Sequence, residues 1–145
     1  MIHFAMSTER CHPAPSQFSP VTPDQYLQLR RKAAGMSVKE VAGMLARNAG
    51  EVAPALDLIY ALESPGRTAR HPETLEALRS VFPFDPDVYR QLATYPTDQH
   101  PRICRGCGCS EWDPCIAGDG THTCSWQGLA TCTRCVGEPV VPVHQ

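Results

Sequence analysis

Seven of the eight cysteines in this 145-residue chain fall in its last 42 residues: Cys104, Cys107, Cys109, Cys115, Cys124, Cys132 and Cys135. The outer four form two Cys-x-x-Cys pairs, Cys104/Cys107 and Cys132/Cys135, separated by 24 residues. A pair spaced this way wraps two thiolates around one ion, and two pairs complete a tetrahedral four-sulfur shell. The separation is close to the usual zinc spacing, if slightly long. Residues 103–136 are too few to bury a self-sufficient apolar core. Metal binding is therefore expected to supply the folding energy of this part. A closed four-sulfur shell keeps no open coordination position, which argues against catalysis by the metal.

Cys109, Cys115 and Cys124 remain, and His122 stands two residues before Cys124. Three cysteines and one histidine make a common structural zinc set. Two outcomes stay open: one zinc with three additional buried or disulfide-bonded cysteines, or two zinc ions. Four thiolates also suit an iron–sulfur cluster. Trp112 and Trp126 are expected to pack over the metal core. Cys11-His12, near the start, is expected to be a free cysteine in a tail. Pro139 to Val143 is an apolar stretch suited to an edge strand or a docking peptide.

The metal reading depends on a reducing compartment. No apolar run approaches the ~20 residues of a membrane span. The opening Met1-Ile2-His3-Phe4-Ala5-Met6 lacks the charged and long apolar regions of a secretory signal. A cytoplasmic protein without membrane association is expected, with thiols kept reduced. The net charge is −2, spread evenly: residues 1–95 carry ten basic and ten acidic side chains, residues 96–145 three and five. Each four-thiolate zinc site would add about two negative charges. The chain has no bulk basic footprint, so a nucleic-acid contact would have to rest on a local patch.

Residues 1–21 have no periodicity and are expected to be a flexible tail. Residues 22–93 carry five helix signals. Thr22-Pro23-Asp24-Gln25 supplies an N-cap, a first-turn proline and a capping-box partner. That helix should run to about Ala34, with Gly35 ending it. Ser37-Val38-Lys39-Glu40 is a second capping box, followed by Val41, Ala42 and Leu45 at helical spacing. Asn48-Ala49-Gly50 breaks this helix. Pro54 opens a third, with Leu56, Ile59, Tyr60 and Leu62 before Glu63. Pro72-Glu73 starts a fourth, burying Leu75, Leu78 and Val81. Asp85-Pro86-Asp87 caps a short fifth, carrying Val88 and Leu92. Residues 94–102 form the expected linker, 103–138 the zinc module and 139–145 a C-terminal tail. The expected fold class is mainly α: a five-helix domain followed by a small Cys-rich zinc-binding module.

The helical part resembles the Cro/repressor-type (XRE) helix-turn-helix family over residues 23–93. The resemblance is carried by Leu29-Arg30, Gly35-Met36-Ser37-Val38-Lys39-Glu40-Val41-Ala42, Ile59-Tyr60-Ala61-Leu62-Glu63, Gly66 and Pro72-Glu73-Thr74-Leu75. It implies a small core of Leu29, Val41, Ala42, Leu45, Ile59, Leu62, Leu75 and Leu78. It also implies an ion pair between Arg30 and Glu63. The stretch between Leu45 and Ile59 is longer than the family's tight turn. The segment placed to read DNA, Glu51-Val52-Ala53-Pro54-Ala55-Leu56-Asp57, lacks the Arg, Lys, Asn or Gln that usually reads base edges. Arg31, Lys32, Lys39, Arg47, Arg67 and Arg70 are the candidates for phosphate contacts. Residues 103–136 resemble a short C-x-x-C-G-C…C…C-x-W…C-x-x-C module associated with small phage and prophage proteins.

No Gly-rich phosphate loop, G-x-S-x-G or H-E-x-x-H occurs in the sequence, and no enzyme is expected. The expectation is a small regulatory DNA-binding protein whose helix-turn-helix domain is braced by structural zinc, with a homodimer as one arrangement. The alternative is a protein-interaction adaptor or inhibitor whose helix-turn-helix scaffold no longer reads DNA. An acidic C-terminal part would suit a basic partner.

Overall fold

The computed structural model describes residues 20–115, 123–126 and 130–137. Among these residues the chain is mainly helical, as expected, and pairs β-type backbone only at two isolated bridges. The helices are α1 (Pro23–Ala33), α2 (Val38–Leu45), α3 (Val52–Leu62), α4 (Pro72–Arg79), α5 (Pro86–Thr94) and the short α6 (Thr133–Gly137).

Local chemistry sets the boundaries. At the start of α1 the Thr22 N–H donates to Gln25 Oε1 at 3.1 Å. At its end Gly35 takes φ +72°, a left-handed conformation that side-chain-bearing residues adopt only at a cost. Gly35 N–H returns to the Lys32 carbonyl, and Met36 N–H to that of Arg31. The capping box of α2 is complete: Glu40 N–H donates to Ser37 Oγ, and Ser37 N–H to Glu40 Oε1. A 3₁₀ turn (Ala49–Glu51) leads into α3, which begins two residues before Pro54. Pro54 therefore sits inside the first turn, where a missing N–H costs no helical hydrogen bond. Pro72 opens α4, and Asp85 caps α5 by accepting from Asp87 N–H at 2.8 Å.

α2 packs on α3, α1 on α5, and α4 on α5. The core joins Tyr26 and Leu27 with Val41, Ala42, Ile59, Leu62, Leu75, Leu78, Phe82, Phe84, Val88, Tyr89 and Leu92. Leu29 and Leu45, expected inside, lie at its margin, as does Val81. Tyr26 and Tyr89 are buried because each hydroxyl finds a backbone partner. Tyr26 Oη accepts from Asp85 N–H at 3.0 Å, and Tyr89 Oη from Ala69 N–H at 2.8 Å. Burial pushes both phenols above their ordinary range.

Arg31, expected at a phosphate, is buried instead. Its Nε and Nη2 donate to the Glu63 carboxylate at 2.7 and 2.8 Å, and Nη1 donates to the Met36 carbonyl. The ion pair anticipated for Arg30 thus belongs to Arg31. Successive residues on a helix point about 100° apart, so only one of two adjacent arginines can face α3.

The segment after α5 makes a 3₁₀ turn (Thr97–Gln99) and returns to the helices. Ile103, counted from sequence as the first residue of the zinc module, is buried in the helical core. The boundary between the two parts runs through packed side chains.

Candidate metal centre

The Cys104–Cys109 segment folds as a tight knuckle. Cys104 N–H donates to the Cys109 carbonyl and Gly108 N–H to the Cys104 carbonyl, both at 2.8 Å. The Ile103↔Ser110 bridge closes the base. Two glycines make the close approaches possible. A Cβ on Gly106 would sit 2.7 Å from Cys135 Sγ. Gly108 has φ +80°, and a Cβ there would meet Arg30 Cδ at 2.8 Å and Leu29 Cβ at 3.0 Å. The knuckle is therefore seated directly on α1.

Other strands of chain bring in the remaining thiols. Cys124 N–H donates to the Cys115 carbonyl at 2.9 Å, holding these two side by side. The Trp126↔Cys132 bridge and the Thr133 N–H to Ser125 carbonyl bond place Cys132, and α6 carries Cys135. Arg105 N–H ties the knuckle to the Ala130 carbonyl.

The seven described cysteines are unbridged. Cys104, Cys107, Cys109 and Cys132 have sulfurs within 4.8 Å of one another, and so do Cys109, Cys115, Cys124 and Cys132. The sulfurs of Cys107 and Cys132 are 3.9 Å apart and those of Cys109 and Cys124 3.7 Å, while Cys107 and Cys115, one from each group, approach to 3.3 Å. A tetrahedron with 2.3 Å metal–sulfur bonds has edges of ~3.8 Å. Backbone N–H groups also aim at sulfur: Gly106 and Cys132 at Cys104 Sγ, both 3.3 Å, and Cys115 at Cys124 Sγ, 3.2 Å. Such donors favour a thiolate and orient it for a metal. The cysteines are thus placed to hold a metal ion.

Electrostatics favours a cation among these sulfurs. Hydrogen bonding from Cys109 lowers the Cys107 thiol to about 4, and the same bond raises Cys109. Burial pushes Cys115 up to about 12 and raises Cys135. Thiolates this close share protons as a set and cannot all ionise without positive charge between them.

The sulfurs group differently from the two sets that the spacing suggests. Cys104, Cys107 and Cys132 do come together, but their fourth neighbour is Cys109. Cys135 packs against them, its sulfur close to Gly106 on the same side as Cys104 Sγ. Cys109, Cys115 and Cys124 also come together, completed by Cys132. His122, Cys11 and His12 lie outside the described residues. Trp126 packs against the cysteine cluster, with the Arg102 guanidinium 5.1 Å from its ring centre. Trp112, expected over the metal core, is 69% exposed.

Arg30 is the residue that sequence reasoning misplaced. Its Nε donates to the Pro83 carbonyl and its Nη1 to the Cys107 carbonyl, both at 3.2 Å, while Nη2 lies 3.6 Å from Asp113 Oδ2. One side chain thus binds α1, the α4–α5 connection and the knuckle. Ser110 supports it: its buried hydroxyl accepts from Trp112 and Asp113 N–H, turning Asp113 toward Arg30. The Ser-x-x-Asp spacing was a readable signal for this turn.

Of the expected phosphate contacts, Lys32, Lys39, Arg47, Arg67 and Arg70 are exposed. Arg47 pairs with Glu51 at 3.1 Å. The solvent face of α3 presents Ala53, Pro54, Asp57, Leu58 and Tyr60. Between α2, α3 and α4 lies a groove of about 380 Å³, lined by Leu45, Ala46, Pro54, Ala55, Leu58 and Ala77 with Glu51 and Glu73 at its edge. No described helix is long and apolar enough to cross a membrane. No protein-family profile, curated protein or solved structure matches the chain.

Proposed function

We propose that this chain is a non-catalytic protein-interaction adaptor: a helical scaffold, braced by zinc bound to its C-terminal cysteines, that presents the α3 face to a protein partner. The observation that carries this reading is the chemistry of α3. The helix that the family resemblance assigns to base reading shows small apolar residues, Leu58, Tyr60 and an aspartate. Two of the candidate guanidiniums, Arg31 and Arg47, are held by Glu63 and Glu51. Apolar and aromatic side chains on a rigid helix are suited to a protein surface. Zinc is the metal that a closed all-sulfur set in a reducing compartment fits best.

The second reading is duplex DNA. It is favoured by consecutive helices α2 and α3 packed together, with Lys39, Arg67 and Arg70 exposed around them. The two readings separate in one titration. Fluorescence anisotropy of the zinc-loaded chain with mixed duplex DNA is expected to show no binding at low salt. Binding that weakens steeply with salt would instead establish phosphate contacts and make DNA the target. In parallel, a photo-crosslinker at Leu58 should capture one partner in cells, and Tyr60→Glu should abolish the capture.

A further inference from the structure

We propose that the cysteines form a single binuclear cluster, in which two metal ions share the thiolates of Cys109 and Cys132. The inference is independent of what α3 binds. It rests on the overlap of the two groups of sulfurs, which have Cys109 and Cys132 in common. Two four-coordinate ions need eight metal–sulfur bonds. The six thiolates of the two groups supply them only if those two sulfurs bond to both ions. Separate sites would need two further ligands, and the shared sulfurs could then serve only one site each.

Burial follows the same pattern. Cys109 and Cys132 are both 0% exposed, at the centre of the cluster. Cys107, Cys115 and Cys124, which would be terminal ligands, are only partly buried. Cys104, the remaining terminal ligand, is buried and accepts two N–H bonds. Charge points the same way. Separate four-thiolate and three-thiolate-plus-histidine sites would carry about three negative charges in all, whereas six thiolates around two dications carry about two. Sharing sulfurs therefore lowers the charge placed in a buried site. Cys135, whose sulfur shares the Gly106 side with that of Cys104, is left as a thiol outside the shared pair.

The test uses the full chain, reconstituted without oxygen with zinc, cobalt(II) or ¹¹³Cd(II). Zinc is expected to saturate at two ions per chain. Cadmium-loaded protein should give two ¹¹³Cd resonances split by coupling through shared sulfur. A second equivalent of cobalt should quench the paramagnetic signal of the first. Cys135→Ser should keep two ions and their coupling, and so should His122→Ala. Saturation at one ion, two uncoupled ions, an iron–sulfur chromophore, or loss of an ion in His122→Ala would each overturn the proposal. Because all primary readouts are on the native sequence, a folding failure of a cysteine variant does not blunt the test.

Discussion

Arg30 and Arg31 are neighbours in α1, yet they anchor different parts of the molecule. Arg31 turns inward to Glu63 at the end of α3, while Arg30 turns outward to the Cys107 carbonyl and Asp113. One helical turn thus supplies both the ion pair between α1 and the end of α3 and the seat of the cysteine knuckle.

The inner pair is the costlier to break. Both side chains are 8% exposed, and the contact is bidentate. Glu63→Ala would leave a buried guanidinium without its carboxylate, at a cost of about 3–5 kcal/mol. Urea denaturation of the metal-loaded chain should register this loss. A change below ~1 kcal/mol would mean that water reaches Arg31 and compensates it.

The outer contact should cost less and act on a different part. Arg30→Met keeps the apolar stem but removes the donors to Pro83 and Cys107, and about 1–3 kcal/mol of stability is expected to go. Asp113 is 36% exposed and 3.6 Å away, so Asp113→Asn should cost under ~1 kcal/mol. Thermal melts of both variants at full metal occupancy check the order. Equal losses would assign the interaction to the ion pair instead of the carbonyl bonds.

Three glycines make a graded set. Gly108 has both a positive φ and no room, so Gly108→Ala should strain the backbone and push the knuckle off α1, costing more than ~2 kcal/mol. Gly106→Ala drives a methyl into Cys135 Sγ, must shift the Gly106 backbone whose N–H holds Cys104 Sγ, and should weaken metal retention, read by competition with a chromophoric chelator. Gly43 lies within α2 with nothing within 4 Å of its would-be Cβ. Gly43→Ala should therefore stabilise by about 0.5–1 kcal/mol. Stabilisation by all three substitutions would contradict the close packing of the knuckle.

Much of the fold was legible because its signals are local. Ser37 and Glu40 announced α2, Gly35 ended α1, and Asp85-Pro86 opened α5, each through backbone chemistry confined to a few residues. The core was only partly legible. Phe82 and Phe84 lie between helices, where no periodicity marks an inward side chain. Tyr26 and Tyr89 are buried by hydrogen bonds to Asp85 and Ala69, distant in sequence. The two adjacent arginines could not be told apart, since the direction each faces depends on how α1 sits against α3. The cysteine spacing located the cysteine cluster, but not which sulfurs come together. Cys109 and Cys132 come together from segments 23 residues apart, and no spacing rule encodes that.

Removing the metal should separate what the ion holds from what the helices hold. The knuckle and α6 meet mainly through sulfur, so chelation should dissolve that part and change the Trp126 fluorescence. The helical core has its own apolar set, so most far-ultraviolet helical signal should persist. It should not persist at full stability: Ile103 is in that core and Arg30 reaches the knuckle, so the apo chain should melt at a lower temperature. Acid should act in the same direction, because protons compete with the ion for each thiolate and the metal-dependent stability is lost as pH falls. Circular dichroism and tryptophan emission, followed together through a chelator titration and an acid titration, check this. Helical signal lost in step with tryptophan emission would show that the metal is part of one cooperative fold.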